Sequence, residues 1–235
     1  MKLWTVLLAA ASGYLVGSLS FARIVMRLVA PSREHRNVQR EVAGSDAGFE
    51  SDSISATAVG EQLGRRYGCL TALLDIGKGA LVALVFRLWL PGQPYFMIAA
   101  TTAILGHNYP AYYRFQGGRG LSTMYGGFLV LDWVGVILTT LAGLVSGILL
   151  EQVVLIRWLG VLLMIPWIWF RTRDPFKLGY VVFANLLFWT AMIPELRQAA
   201  AFSSADRALD SAKIADVMAW AVCGEWRAGI VCPAC

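Results

Sequence analysis

Residues 70–90 read LTALLDIGKGALVALVFRLWL, an apolar run that only Asp75, Lys78 and Arg87 interrupt. As a helix this run is about 30 Å long, which matches the hydrocarbon thickness of a bilayer. Backbone polar groups in lipid have to bond within their own segment, so the run is predicted to be helical. The whole chain agrees, because 57% of its 235 residues are apolar and 15% are charged, against about a quarter charged in soluble domains.

Further stretches have the same character, although some are short for a complete crossing. Together with the first they cover residues 3–29, 70–90, 95–112, 124–150, 153–170 and 178–193. No small-residue cleavage site ends the first half of residues 3–29, so we expect a retained helix and not a signal peptide. The sequence therefore predicts an all-α, polytopic integral membrane protein with about six transmembrane helices. We expect residues 1–198 to form the membrane domain and residues 199–235 a polar tail.

The basic residues predict the orientation of these helices. Those that follow the first, third and fifth stretches are Arg33, Arg36, Arg40, Arg65, Arg66, Arg114, Arg119, Arg171, Arg173 and Lys177. Residues 91–94 and 151–152 contain no basic residue. By the positive-inside rule the N-terminus lies outside, while residues 31–67, 111–123 and 171–177 face the cytoplasm. The expected location is the inner (cytoplasmic) membrane. Because the positive-inside rule accounts for the basic residues, the formal charge of +5 requires no nucleic-acid partner.

An acid and a base lie three residues apart inside the second stretch. At this spacing Asp75 and Lys78 share one helical face, and ionisable groups within a membrane face a polar cavity or one another. One interpretation is an internal pair that neutralises itself. The other is that Asp75 orients the Lys78 ammonium toward an anionic ligand.

A second polar cluster follows the third stretch, where residues 106–123 read GHNYPAYYRFQGGRGLST. His107 exchanges a proton near neutral pH. The glycines around Arg119 permit a tight turn, and Ser122 and Thr123 stand where a new helix is expected to begin. Such a loop at a helix N-terminus is typical of a phosphate cradle, although glycines also mark ordinary structural hairpins. The predicted topology brings Lys78, His107 and Arg119 to one membrane face, where they are expected to bind one anionic ligand.

The cysteines and histidines do not predict a metal site. Cys232 and Cys235 have CxxC spacing, but a structural zinc site needs four ligands, and His35 and His107 lie far upstream. We therefore expect no metal and no cofactor. The tail cysteines are expected to form a disulfide or to remain thiols.

Three short motifs resemble those of the bacterial acyl-phosphate-dependent glycerol-3-phosphate acyltransferases. Residues 106–123 are similar to the pattern GHxxPxxxxFxGGKGxAT, residues 75–79 match DxxKG, and residues 17–21 resemble GSxxF. This similarity covers roughly the first 130 residues of the chain. The resemblance implies transfer of a fatty acyl group from acyl phosphate to glycerol 3-phosphate, which gives lysophosphatidic acid for phospholipid synthesis without a metal or nucleotide.

The resemblance also implies roles for individual residues. It implies catalytic roles for Ser18, Asp75 and His107. It implies substrate binding by Thr57, Lys78, Gly117, Gly118, Arg119, Gly120, Ser122 and Thr123. The partners are then the two phosphorylated substrates and the lipid bilayer.

The chain departs from the family pattern at several positions. In the first family motif, GSGNxGxTNxxR, Thr57 is kept while Ala58 replaces asparagine and Glu61 replaces arginine. Arg119 stands where lysine is usual, and the C-terminal motif is not found. These departures leave open a relative that uses another acceptor, or one that binds an anionic lipid or phosphate ligand without turnover. A small transporter or structural membrane protein is the remaining alternative.

Overall fold

The protein is a bundle of helices, with one short pair of strands in a connection. The computed structural model describes residues 2–31, 38–41, 48–51 and 55–202. The Cys232–Cys235 pair lies outside these ranges. The helices are α1 (Leu3–Gly17), α2 (Phe21–Val29), α3 (Ala56–Leu63), α4 (Arg65–Trp89), α5 (Tyr95–Asn108), α6 (Leu121–Leu149), α7 (Val153–Thr172) and α8 (Pro175–Phe202), with a 3₁₀ turn at Ala111–Tyr113 and strands β1 (Val38–Glu41) and β2 (Gly48–Ser51).

The prediction of a helical membrane protein is confirmed. By length and composition, Leu3–Val29, Arg65–Trp89, Leu121–Leu149 and Pro175–Pro194 could each cross a membrane, and Trp158–Thr172 is a shorter apolar helix. Helices α1, α4, α5, α6, α7 and α8 surround a shared core that includes Ala103, Phe128 and Phe188.

The connection over residues 31–67 contains more structure than its polar composition predicted. Strands β1 and β2 pair antiparallel from Val38–Ser51 to Glu41–Gly48. Helix α3 begins after Ser55, whose hydroxyl accepts a hydrogen bond from the Ala58 amide at 3.3 Å, the usual capping contact of a serine. α3 packs against α4, where Gly68 lies close to Gly60.

The first apolar stretch is two helices and not the single helix that hydropathy predicted. α1 ends at Gly17, and Ser20 is the N-cap of α2, with its hydroxyl 3.5 Å from the Arg23 amide. Along α2, Ala22, Val25 and Met26 are buried. This amphipathic pattern is typical of a helix that lies at the surface of a bundle.

Helix α6 folds back on itself at Asp132. The backbone there is extended, with φ −157° and ψ 91°. The Tyr125 hydroxyl lies beside Thr140, although these residues would be about 22 Å apart in a straight helix. Asp132 stabilises the turn, because its carboxylate accepts hydrogen bonds from the Gly135 amide and the Trp167 indole and pairs with Arg171.

This reversal changes the end of the bundle at which α8 begins. The Asn108 amide donates to the Leu187 carbonyl at 3.1 Å, and Arg119 donates to the Ala191 carbonyl at 2.9 Å. At the other end, Pro94 and Phe176 line the same cavity of about 330 Å³. α8 therefore runs parallel to α5, and residues 171–177 lie at the end opposite Arg119. The prediction that these basic loops share one face is wrong, because the turn at Asp132 adds a crossing that hydropathy concealed.

The arrangement of loops is testable by cysteine labelling of intact cells and of inside-out membrane vesicles. We expect Gln93→Cys and Arg173→Cys to react with an impermeant maleimide from the same side of the membrane. Arg114→Cys should react only from the opposite side. Labelling of the protein without these substitutions supplies the background from its natural cysteines. Reaction of positions 114 and 173 from one side would contradict the reversal of α6.

Candidate active site

The polar centre of the bundle lies where α4 passes the end of α5. Lys78 Nζ is 2.7 Å from Asp75 Oδ1, 2.9 Å from His107 Nδ1 and 2.6 Å from the Leu19 carbonyl oxygen. The side chains of Lys78 and Asp75 are 2% and 3% exposed. The predicted meeting of Lys78 with His107 is therefore present, and Asp75 pairs with Lys78 within α4.

These contacts engage every donor of the Lys78 ammonium. An ammonium has three N–H groups and accepts no hydrogen bond, and Asp75, His107 and Leu19 supply three acceptors. His107 Nδ1 also lies 3.5 Å from Asp75 Oδ1. When the Lys78 ammonium donates to Nδ1, the neutral ring carries its proton on Nε2. Lys78 contributes charge and holds the ring, while His107 presents an Nε2–H donor.

Ser18 fixes the chain beside this centre. Its hydroxyl is fully buried, donates to the Tyr14 carbonyl at 2.8 Å and accepts from the Ala111 amide at 3.3 Å. Ser18 thus joins the end of α1 to the 3₁₀ turn that follows Pro110. In this geometry it positions the backbone, since its only donor and one of its two acceptor positions are used within the protein.

The glycine-rich loop, residues 115–120, returns to the end of α5. The Gly118 amide donates to the His107 carbonyl at 3.1 Å. Gly117 lies so close to the same carbonyl that a Cβ atom would be 2.2 Å from its oxygen. Gly120 has a φ of +80° and is the N-cap of α6, where no side chain caps the amides. The start of α6 therefore offers backbone donors to an anion.

The hydroxyl residues at the start of α6 lie against α4. Ser122 is half-buried, whereas Thr123 is buried and its hydroxyl has no hydrogen-bond partner among the described residues. The backbone of Thr123 packs directly on Gly79. This contact fixes the first turn of α6 against the residue that follows Lys78.

Two predicted binding residues are not among the contacts described for this centre. Arg119 donates from Nη1 to the Ala191 carbonyl, so it ties the glycine-rich loop to α8. Thr57 is half-buried on α3, and no described hydrogen bond joins it to Lys78 or His107. The predicted convergence of Arg119 with Lys78 and His107 is therefore not seen in this arrangement.

Arg23 and Asn108 also lie around this centre, and neither was predicted as a site residue. Arg23 donates a hydrogen bond to the Gln116 carbonyl at 3.0 Å, and the Asn108 amide donates one to the Leu187 carbonyl of α8. A basic residue within the apolar stretch 3–29 was the available signal for Arg23. Among the described residues no group of three or more His, Cys, Asp or Glu side chains could hold a metal ion.

Comparison with known proteins identifies the family. Residues 7–198 match the family described as glycerol-3-phosphate acyltransferase. The chain belongs to this family. The resemblance found in the three short motifs is thereby confirmed.

This chain aligns with curated glycerol-3-phosphate acyltransferases over part of their length. The Cereibacter sphaeroides protein is 34% identical over 131 residues, which cover 56% of this chain and 59% of that protein. The Hydrogenobaculum sp. protein is 35% identical over 115 residues, 48% and 52% of the two chains. The chain thus matches between half and three fifths of the length of these relatives.

Two solved structures share the fold. PlsY, an integral membrane glycerol 3-phosphate acyltransferase, in its glycerol 3-phosphate form has a TM-score of 0.71 at 19% identity, over 89% of this chain and 98% of that chain. Its lysophosphatidic acid form gives 0.69 at 18% identity, over 90% and 98%. At these identities the likeness establishes a common helical fold.

Proposed function

We propose that this protein transfers a fatty acyl group from acyl phosphate to the 1-hydroxyl of glycerol 3-phosphate and releases lysophosphatidic acid. The observation that carries the proposal is the buried contact of Lys78 with His107 beneath a glycine-rich helix start. Family membership supports it. The solved PlsY proteins are described in glycerol 3-phosphate and lysophosphatidic acid forms.

The arrangement suits two anionic substrates, one of which has a lipid tail. The uncapped amides at the start of α6 favour a phosphate group. The apolar helices favour an acyl chain in the bilayer beside it. An acyl phosphate is already activated, so the chemistry needs positioned donors and no redox group.

In the proposed step the glycerol hydroxyl oxygen attacks the acyl carbonyl carbon and forms a tetrahedral intermediate. The bond to the phosphate oxygen then breaks, inorganic phosphate leaves, and it carries away the hydroxyl proton. We assign the His107 Nε2–H as a donor to the oxyanion, with the Lys78 charge behind the ring. Donors that are fixed before the reaction stabilise such charge without reorganisation.

Two substitutions by amide side chains distinguish the roles of the two ring nitrogens of His107. In His107→Asn the amide oxygen can take the place of Nδ1 and keep the Lys78 contact, but the Nε2–H is lost. We expect near-normal thermal stability and a fall in acyl transfer of about 10²–10³-fold, the effect of removing one oxyanion donor. His107→Gln places an amide near Nε2 and should keep more activity. A fully active asparagine variant beside an inactive glutamine variant would overturn the role of Nε2.

The departures on α3 favour one alternative, an enzyme of the same fold with another acceptor. Ala58 is buried and Glu61 is exposed on this helix, where the family pattern has asparagine and arginine. Purified protein with acyl phosphate can be offered glycerol 3-phosphate, other phosphorylated alcohols and neutral alcohols. Faster transfer to an acceptor other than glycerol 3-phosphate would select the alternative.

We also propose that the protein lies in the cytoplasmic membrane with the glycine-rich loop inside. The connections at that end of the bundle carry more basic residues in the sequence, namely Arg33, Arg36, Arg40, Arg65, Arg66, Arg114 and Arg119. The opposite connections carry Arg171, Arg173 and Lys177. The positive-inside rule favours this orientation, and the relatives of known source are bacterial.

A further inference from the structure

Arg23 bridges the amphipathic helix α2 and the glycine-rich loop. Its Nη2 donates to the Gln116 carbonyl at 3.0 Å, and its guanidinium lies 4.7 Å from the centre of the Tyr113 ring. The Nε edge of the guanidinium makes no such contact. Arg23 Nε is buried and has no hydrogen-bond partner among the described residues, so it is an unsatisfied cationic donor.

The same short segment also contacts the polar centre. Lys78 bonds the Leu19 carbonyl and lies 5.7 Å from the Phe21 ring. On the other side of the segment, Arg23 holds Gln116, two residues before the Gly118 amide that bonds His107. Lys78, the glycine-rich loop and Arg23 therefore border one region of the protein.

The charges of this region make Arg23 a better placed cation than Lys78 for a phosphoryl group. All three Lys78 donors are engaged, and Asp75 offsets its charge. Arg23 is half-buried, and a cation whose buried donor is unsatisfied is expected to have an anion partner. The planar fork of arginine matches phosphate geometry.

We propose that Arg23 is a binding residue for the dianionic phosphoryl group of a substrate, supplied from α2. This inference rests on the proposed acyl transfer for the identity of the substrate. The positive charge for the phosphoryl group then comes from α2 and not from α3. On α3, Glu61 occupies the position at which the family motif has arginine. A phosphoryl group of glycerol 3-phosphate or of acyl phosphate has the required chemistry, and the measurement below distinguishes them.

The test compares two arginines one turn apart on α2. Arg23→Gln removes the charge but can still donate an amide N–H to the Gln116 carbonyl, and Arg23→Lys keeps the charge without the planar fork. Arg27→Gln is the matched control, because Arg27 is exposed on the same helix. Full-length proteins in uncharged detergent are titrated calorimetrically with glycerol 3-phosphate and with inorganic phosphate. Thermal unfolding of each variant checks folding.

We expect Arg23→Gln to weaken glycerol 3-phosphate binding about tenfold or more, Arg23→Lys to weaken it less, and Arg27→Gln to leave it unchanged. In the transfer assay the KM for one substrate should rise more than kcat falls, and that substrate is the one whose phosphoryl group Arg23 binds. Equal affinities in the Arg23 and Arg27 variants would overturn the inference, even if the wild-type protein transfers acyl groups. If the wild-type protein transfers none, the phosphate titration still decides the role of Arg23.

Anionic lipid headgroups are the competing ligand for an arginine near the membrane surface. Transfer and phosphate binding are therefore repeated in bilayers of phosphatidylcholine alone and with phosphatidylglycerol added. An effect of Arg23→Gln in both bilayers supports a substrate contact. An effect confined to the anionic bilayer would show that Arg23 binds lipid, and would overturn the proposal.

Discussion

Lys78→Met is expected to abolish acyl transfer and to lower the stability of the protein. The substitution leaves the Asp75 carboxylate buried without its cation, and breaking a buried pair in this way costs about 3–5 kcal/mol. It also releases His107 Nδ1 from the donor that fixes the ring. The readouts are the transfer rate with saturating substrates and the thermal unfolding temperature.

A second variant separates the loss of function from the loss of stability. In Asp75→Leu/Lys78→Met the whole pair is replaced by apolar side chains, which is often neutral or stabilising. We expect its unfolding temperature to recover while transfer remains absent. Normal transfer by either variant would show that Lys78 is an internal structural pair only, which is the other interpretation of its sequence motif.

Gly79→Ala is expected to damage both stability and transfer, because Gly79 is where α4 meets α6. A Cβ atom there would lie 2.2 Å from the Thr123 carbonyl oxygen. The backbone cannot yield as a flexible side chain would, so α6 has to move away together with the glycine-rich loop. Overpacking of this kind costs about 1–3 kcal/mol, and a shift of ~1 Å at a reacting group lowers a rate about a hundredfold.

The same helix provides the control for this substitution. Gly77 has no atom within 4 Å of the position of an added Cβ. Gly77→Ala is therefore expected to leave transfer unchanged and to be neutral or slightly stabilising, as alanine is favoured over glycine in a helix. Equal effects of the two substitutions on transfer would contradict the close contact of α4 with α6.

Local sequence patterns predicted the parts of the site that depend on spacing along a helix. The separation of Asp75 and Lys78 predicted their contact, and the apolar runs on either side of them predicted the helices. The meeting of Lys78 with His107 followed from the order of helices at one membrane face. These features depend on the helical repeat and on the order of the apolar segments, and both can be read from the sequence.

Features set by tertiary contacts were not predictable in the same way. Residues 124–150 form a nearly continuous apolar run, so the single acid at Asp132 was the only sign of the turn in α6. Its partners Trp167 and Arg171 lie on another helix. The direction of the Arg119 side chain likewise depends on α8. A motif specifies the type of residue at position 119, but it does not specify which carbonyl group that residue bonds.

The most direct measurement is the balance of products from the purified protein in proteoliposomes. With acyl phosphate and glycerol 3-phosphate, we expect inorganic phosphate and lysophosphatidic acid to form in equal amounts. The Asp75→Leu/Lys78→Met variant should be folded and form neither above the uncatalysed rate. If the wild-type protein releases phosphate without lysophosphatidic acid, or is no faster than this variant, it is not a glycerol-3-phosphate acyltransferase.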